Sequence, residues 1–245
     1  MNALKETKKK HLLAILKYLY LHNSSTMNEL VENLQLSQPS IRNMVRTLQE
    51  KQLIQEVGND LSSGGRCPTR FALNEKNYLI LCLYIQVDKV IYQVRSFSEI
   101  KKEDTLIYQD EEELKKTIKQ LVDKNEVHCC QIAVEGIVYE DVTDHQNILK
   151  KHHWVKDIKK EIDLPIQLQN DVKMIHQGCC FTYQQDATYY LYINEVGIGS
   201  SYFYKDEPLY GNTGIMGEIG LISIKGKTIN QRVRECQSQD EFNEL

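Results

Sequence analysis

The chain has 245 residues, is 41% hydrophobic and 26% charged, and carries a formal net charge of −4. That is long enough for more than one folding unit, and the composition is that of a water-soluble globular protein rather than a disordered or membrane-embedded one. Apolar runs such as "YLILCLYI" are far too short to cross a bilayer as a helix. The seven cysteines, an odd count without a C-x-x-C, argue against a disulfide framework or a cysteine zinc site and for a reducing cytoplasm.

Charge is unevenly spread. Residues 1–76 hold 11 Lys+Arg against 7 Asp+Glu, a net of +4, whereas the remaining residues hold 19 against 27, a net of −8. A basic head on an acidic body is the pattern of a nucleic-acid-binding module joined to something else. The head opens with "MNALKETKKKHLLAILKYLYLH". Lys17 interrupts its apolar part and no small-residue cleavage site follows, so a helix is expected rather than a signal peptide. Its buried stripe is expected to be Leu12, Leu13, Leu16, Leu19 and Tyr20.

A second helix should begin at "STMNELVENLQ", where Thr26 and Glu29 have capping-box spacing and Met27, Leu30, Val31 and Leu34 share one face. Ser37 is placed to cap a third helix, with Pro39 in its first turn, where a missing N–H costs little. In that third helix Ile41, Met44, Val45 and Leu48 form the apolar face, leaving Gln38, Ser40, Arg42, Asn43 and Arg46 on the other. Two short helices joined by a tight turn, the second polar outward, describe a helix-turn-helix. "LIQEVGND", "LSSGGRCPTR" and "FALN" then read as strand, glycine-bearing tip and strand, which is a wing.

Residues 1–75 are therefore expected to form a winged helix-turn-helix that binds a double-stranded DNA operator. The polar face from Gln38 to Arg46 would lie in the major groove. Gly64 and Gly65 would let backbone approach closely, and Arg66 would enter a narrow A·T-rich minor groove. Arg46 is as well suited to a phosphate as to a base edge. A helical protein-interaction module without nucleic acid is the alternative.

From Tyr78 the pattern changes. "YLILCLYI" and "KVIYQVRSF" read as strands, and "DEEELKKTIKQLVDK" as an amphipathic helix with Leu114, Ile118, Leu121 and Val122 inward. "CCQIAVEGIV" is a buried strand running into a turn, and residues 154–162 read as helix. "LPIQLQND" is a strand opening into the helical "VKMIHQGCCFTY", and "ATYYLYI" and "SSYFYKDEPLY" are strands again. Strands alternating with helices indicate an α/β body over residues 76–245.

The wing "SSGGRCPTRFALN", followed in order by "VEGIV", "HHW", "LPIQLQND" and "VGIGSSYFYKDEPLYGNTGIMGEIG", resembles the ROK (repressor, open reading frame, kinase) regulators of the xylose-repressor type. The similarity runs from about residue 10 to 224. It implies a winged helix fused to an actin-like, ribonuclease-H-like fold of sugar-kinase type. The first lobe would span about 76–185 and an abbreviated second lobe about 186–245, in a homodimer or higher homo-oligomer. Asn170, Asp171 and Glu218 match family residues that bind sugar hydroxyls, which suits side chains able to pair with two neighbouring hydroxyls. Gly136 matches a turn glycine, and Trp154 lies near the start of the sugar-side loop.

Other family features are replaced. "LYIQVDKV" puts Tyr84 and Gln86 where the first phosphate loop has an acidic residue and glycine, and Glu195-Val196 stand where the second loop has Gly-Thr. The histidine expected after "GEIG" is Leu221, and the cysteine-rich zinc cluster is missing. Phosphoryl transfer needs positioned phosphates and metal, so no catalytic residues, cofactor or metal are expected. The spacing of His145, His152 and His153 lacks zinc-site geometry, and the adjacent cysteines read as small buried apolar residues.

The expectation is thus a cytoplasmic DNA-binding regulator, a repressor of carbohydrate-related genes, whose non-catalytic body assembles the protein and senses a sugar or sugar phosphate. A body that is only a dimerisation scaffold is the alternative, and a residual sugar kinase a more distant one. For Asp171 a plain structural role, capping the helix that follows, is a competing reading.

Overall fold

The computed structural model describes residues 2–60, 67–139, 142–144, 154–182, 185–194, 197–205 and 207–236. Two compact units emerge, one of residues 1–79 with 95–101 and the other of residues 80–94 with 102–245.

The first unit contains α1 (Asn2–His22), β1 (Ser25–Thr26), α2 (Met27–Leu34), α3 (Gln38–Glu50), β2 (Ile54–Asn59) and β3 (Thr69–Leu73). The capping box forms: the Glu29 N–H donates to the Thr26 hydroxyl at 3.3 Å, and the Thr26 N–H donates to the Glu29 carboxylate at 2.8 Å. Helix α2 ends at Gln35 in the left-handed region, φ 52°, which turns the chain towards α3. Ser37 caps α3 by accepting from the Ser40 N–H, with Pro39 in the first turn. Ile41, Met44, Val45 and Leu48 pack with Leu30, Ile54 and Phe71 into one apolar core.

Helix α1 contributes differently than its sequence implied. Ile15 and Leu19 are the fully buried residues, flanked by Leu12, Leu16 and Tyr18, while Leu13 and Tyr20 are exposed. The stripe is centred on the 12-15-16-19 spacing, because α1 buries only the narrow face that meets α2, α3 and β3.

β3 runs between β1 and β2, antiparallel to both, with a register shift between Glu56 and Gly58. Arg70 on β3 ties this sheet to the helices. Its guanidinium donates to Glu29 at 2.9 Å, to the Ser24 carbonyl at 3.4 Å, and to Asp60 at the base of the hairpin tip. The tip residues Gly64, Gly65 and Arg66 lie outside the described residues.

The second unit begins with β4 (Ile80–Ile85), β5 (Lys89–Arg95), β6 (Ile100–Ile107), α4 (Glu111–Asn125), β7 (Cys129–Val134), β8 (Ile137–Tyr139), β9 (Val142–Asp144), α5 (Trp154–Glu161), β10 (Ile166–Asn170) and α6 (Asp171–Thr182). The sheet order is β10-β7-β4-β5-β6, with β7 parallel to both β4 and β10. Alternate residues Leu81, Leu83 and Ile85 on β4 and Cys130, Ile132 and Val134 on β7 are buried. The buried face of α4 is Leu114, Ile118, Leu121 and Val122, as its periodicity indicates, and Asp110 caps it by accepting from the Glu113 N–H at 2.9 Å.

A second sheet holds β11 (Ala187–Asn194), β12 (Gly197–Tyr204) and β13 (Glu207–Pro208), all antiparallel, and α7 (Ile229–Glu235) follows. Helix α6 packs on β12 at Gly199, where a methyl group would stand 2.8 Å from Val172 Cγ2. His176 is buried between the hydroxyls of Ser201 (2.5 Å) and Thr188 (2.9 Å) and against the Tyr190 ring. Burial drives the Cys130 thiol pKa upward, so this cysteine is an inert packing group.

Candidate functional site

In the first unit, Gln38, Ser40, Arg42, Asn43 and Arg46 are all exposed on α3, opposite its buried face. The side chain of Arg46 is paired loosely with Glu50 one turn on, at 3.7 Å. The helix thus presents a polar surface holding amides, a hydroxyl and two guanidinium groups, a donor and acceptor set able to meet base edges and phosphates.

The second unit has a cleft of about 620 Å³ that brings Asn170, Asp171 and Glu218 together. Parallel pairing explains part of this. β4, β7 and β10 end side by side, so Tyr84, Glu135 and the Asn170-Asp171 pair gather at their carboxyl ends, where open α/β sheets form sites. Glu218 arrives from the turn after the second sheet. Gly217 permits that approach, with φ +100° and its α-carbon so near β12 that a methyl group would stand 2.1 Å from the Ser200 carbonyl oxygen. The same turn is held by the Ser200 N–H and hydroxyl, both donating to the Gly217 carbonyl at 2.9 Å.

The helix cap falls one residue earlier than the competing reading placed it. The Lys173 N–H donates to Asn170 Oδ1 at 3.0 Å, which makes Asn170 the capping side chain of α6. Its amide nitrogen also donates to the Gly136 carbonyl at 2.9 Å and to Asp171 Oδ1 at 3.1 Å. Asp171 Oδ1 accepts from the adjacent Val172 N–H at 2.8 Å and from the Asn170 amide at 3.1 Å, and Oδ2 faces the Tyr84 hydroxyl, 3.4 Å away.

Several cleft residues were not singled out as ligand contacts from sequence. The Tyr84 hydroxyl donates to Glu135 at 3.0 Å, and the Gln86 amide reaches the same oxygen at 3.4 Å. Asn230 of α7 accepts the Ile198 N–H at 2.8 Å. Lys173 is buried behind the cleft, its ammonium 3.4 Å from the Gly214 carbonyl and 5.7 Å from the Tyr210 ring centroid. Leu221 also lines the cleft. Glu195, Val196, His145, His152 and His153 lie outside the described residues.

Burial governs the electrostatics. It raises the Asp171 pKa to about 6 and also raises that of Glu218, while it lowers that of Lys173. The Tyr84 hydroxyl is pushed far up by burial and by its two carboxylate neighbours, so it stays a proton donor. The cleft is therefore lined by the carboxyl groups of Glu135, Asp171 and Glu218 and the Tyr84 phenol, with the amides of Asn170, Asn230 and Gln231 and the guanidinium of Arg234 also on its walls.

The second unit, with two sheets around a carboxylate-bearing cleft, defines a body of sugar-kinase-like fold class. Residues 91–239 match the ROK family, and the chain belongs to it. It is 23% identical over 248 residues to a xylose repressor of Staphylococcus xylosus, covering 92% of this chain and 65% of that repressor's length. Among solved structures it resembles a ROK family transcriptional regulator, a homologue of the E. coli MLC protein (TM-score 0.68, 18% identity, 84% of this chain and 59% of that one). It also resembles a ROK hexokinase from Thermus thermophilus (TM-score 0.50, 14% identity, 60% of this chain and 53% of that one). These likenesses establish the actin-like sugar-kinase fold of the body.

Proposed function

We propose that this protein is a DNA-binding transcriptional repressor of carbohydrate-related genes. Residues 1–75 act as a winged helix-turn-helix, and the ROK body pairs with a second copy and senses a sugar without transferring phosphate. The observation that carries the reading is the α3 surface: Gln38, Ser40, Arg42, Asn43 and Arg46 point outward above a fully formed core. Similarity to a xylose repressor over 92% of the chain supports the same conclusion. On this reading α3 enters the major groove, and Gly64, Gly65 and Arg66 form the wing tip that meets the minor groove.

Pairing matters because one small head makes few contacts, whereas two joined heads gain affinity from two half-sites. Asn170, Asp171 and Glu218 are the effector contacts, since their acceptors and amide suit vicinal hydroxyls. Ligand binding in the cleft is read as altering the spacing of paired heads and so releasing the operator.

The deciding experiment is selection of oligonucleotides by the full chain at low ionic strength, repeated with sugars added. Enrichment of a two-part site, lost on adding one sugar, is expected. Failure to retain any duplex sinks the DNA reading. Retention that no sugar alters leaves the body a scaffold, and sugar-dependent ATP turnover would sink the non-catalytic reading.

A further inference from the structure

We propose that Arg70 is a positioning residue for operator binding, holding the hairpin base to the start of α2 so that wing and α3 meet the duplex together; this rests on the DNA-binding reading above. Arg70 lies on β3, the middle strand, with Thr26 of β1 opposite on one side and Gly58 of β2 on the other. Its guanidinium Nε donates to Asp60 at the foot of the tip, and the Asp60 N–H closes the hairpin base on the Pro68 carbonyl at 2.9 Å. Its other nitrogens donate to the Glu29 carboxylate at 2.9 Å and to the carbonyl and hydroxyl of Ser24 at 3.4 and 3.3 Å. Glu29 is itself fixed, accepting from the Thr26 N–H at 2.8 Å and from the Ser25 hydroxyl at 3.0 Å.

This geometry orients more than it stabilises. Strand pairing alone leaves the direction of the hairpin open, because the ladder slips between Glu56 and Gly58 and such a bulge bends its strand. Among the described residues nothing lies within 4 Å of a methyl group added at Gly58, so packing does not hold the bend there. Partly exposed ion pairs add little to stability. A planar guanidinium that contacts three chain segments at fixed angles does restrict how those segments sit. Arg70 is not itself offered to a phosphate, since the carboxylates of Glu29 and Asp60 already neutralise it.

Fluorescence anisotropy of the full chain on the duplex enriched in the selection above, with melting curves alongside, tests this. Arg70→Met and Asp60→Ala should each weaken binding by about threefold or more. The direction for Asp60→Ala is diagnostic, because removing a negative charge beside DNA would otherwise tighten binding. In either background Arg66→Ala should cost little more, whereas Arg42→Ala should keep its full cost because α3 stays in place. Unchanged or tighter binding by Asp60→Ala, an undiminished Arg66 effect in the Arg70 variant, or loss of the Arg42 effect there overturns the inference and leaves DNA binding intact. An Arg66→Ala chain that binds as wild type does leaves no wing contact to position and overturns it too. If Arg70→Met does not fold, Asp60→Ala decides alone. A wild-type chain that retains no duplex removes the DNA-binding reading, and this inference with it.

Discussion

Arg70 and Glu29, 41 positions apart in sequence, meet at 2.9 Å, and the same glutamate caps α2 through its other oxygen. One carboxylate thus serves both the helix start and the hairpin, while Arg70 also holds Asp60 at the base of the tip. Arg70→Met should lower the stability of the first unit only modestly, because the pair is roughly a third exposed and screened by solvent. Urea melts at low and high salt check it: the difference from wild type should shrink as salt rises.

The polar face of α3 yields the sharpest test of DNA binding. Arg42→Ala should weaken operator binding by about 1–3 kcal/mol if the guanidinium meets a base. Arg66→Ala should weaken it chiefly at A·T-rich flanks, by removing the minor-groove contact. Fluorescence anisotropy against flank variants measures both, and wild-type affinity in the Arg66 variant would exclude a wing contact.

Gly217→Ala should be among the most damaging single changes in the body. The added methyl meets the Ser200 carbonyl at 2.1 Å and the backbone sits at φ +100°, so both sterics and dihedral preference oppose it. A loss of about 2–4 kcal/mol is expected, read as an earlier thermal midpoint. Weakened sugar binding should accompany it, because Glu218 is the next residue.

Asp171 gives a pH dependence of defined sign. Its pKa is raised in the folded state to about 6, so between its unfolded value and about pH 6 the folded chain binds more protons than the unfolded one. Its contribution to stability therefore declines as pH rises through that window, and it is destabilising above it. Asp171→Asn, which keeps an oxygen for the Val172 N–H, should remove that decline and raise stability at neutral pH by about 1–3 kcal/mol. Denaturation midpoints from pH 4 to 7 compare the two chains. Binding of a neutral sugar should run the other way in the wild type, weakening as pH falls through 6 and the acceptor is protonated.

Local signals read well where periodicity and capping were strong. The Thr26–Glu29 box, the Ser37 cap and the buried faces of α3 and α4 all followed from spacing, because these are interactions between residues three or four apart. β6 escaped notice because "IKKEDTLI" has no buried alternation; as the sheet's edge strand it is largely solvent-facing on both sides. Helix α7 is short, and its capping box at Thr228 and Gln231 was the one signal that could have found it.

The amino-acid order alone specified the chemistry available: a basic head with a two-faced helix, and an acidic body carrying Asn170, Asp171 and Glu218. It was the folded chain that assigned the cap of α6 to Asn170 rather than Asp171, set Tyr84 against two carboxylates, and filled the space beside Gly197 and Gly220 with Asn230. The reason is physical: capping and amphipathic burial act over one helical turn and leave a mark in the spacing of residues. A cleft gathers side chains from strands tens of residues apart, whose meeting depends on strand order and register, and no local pattern records that.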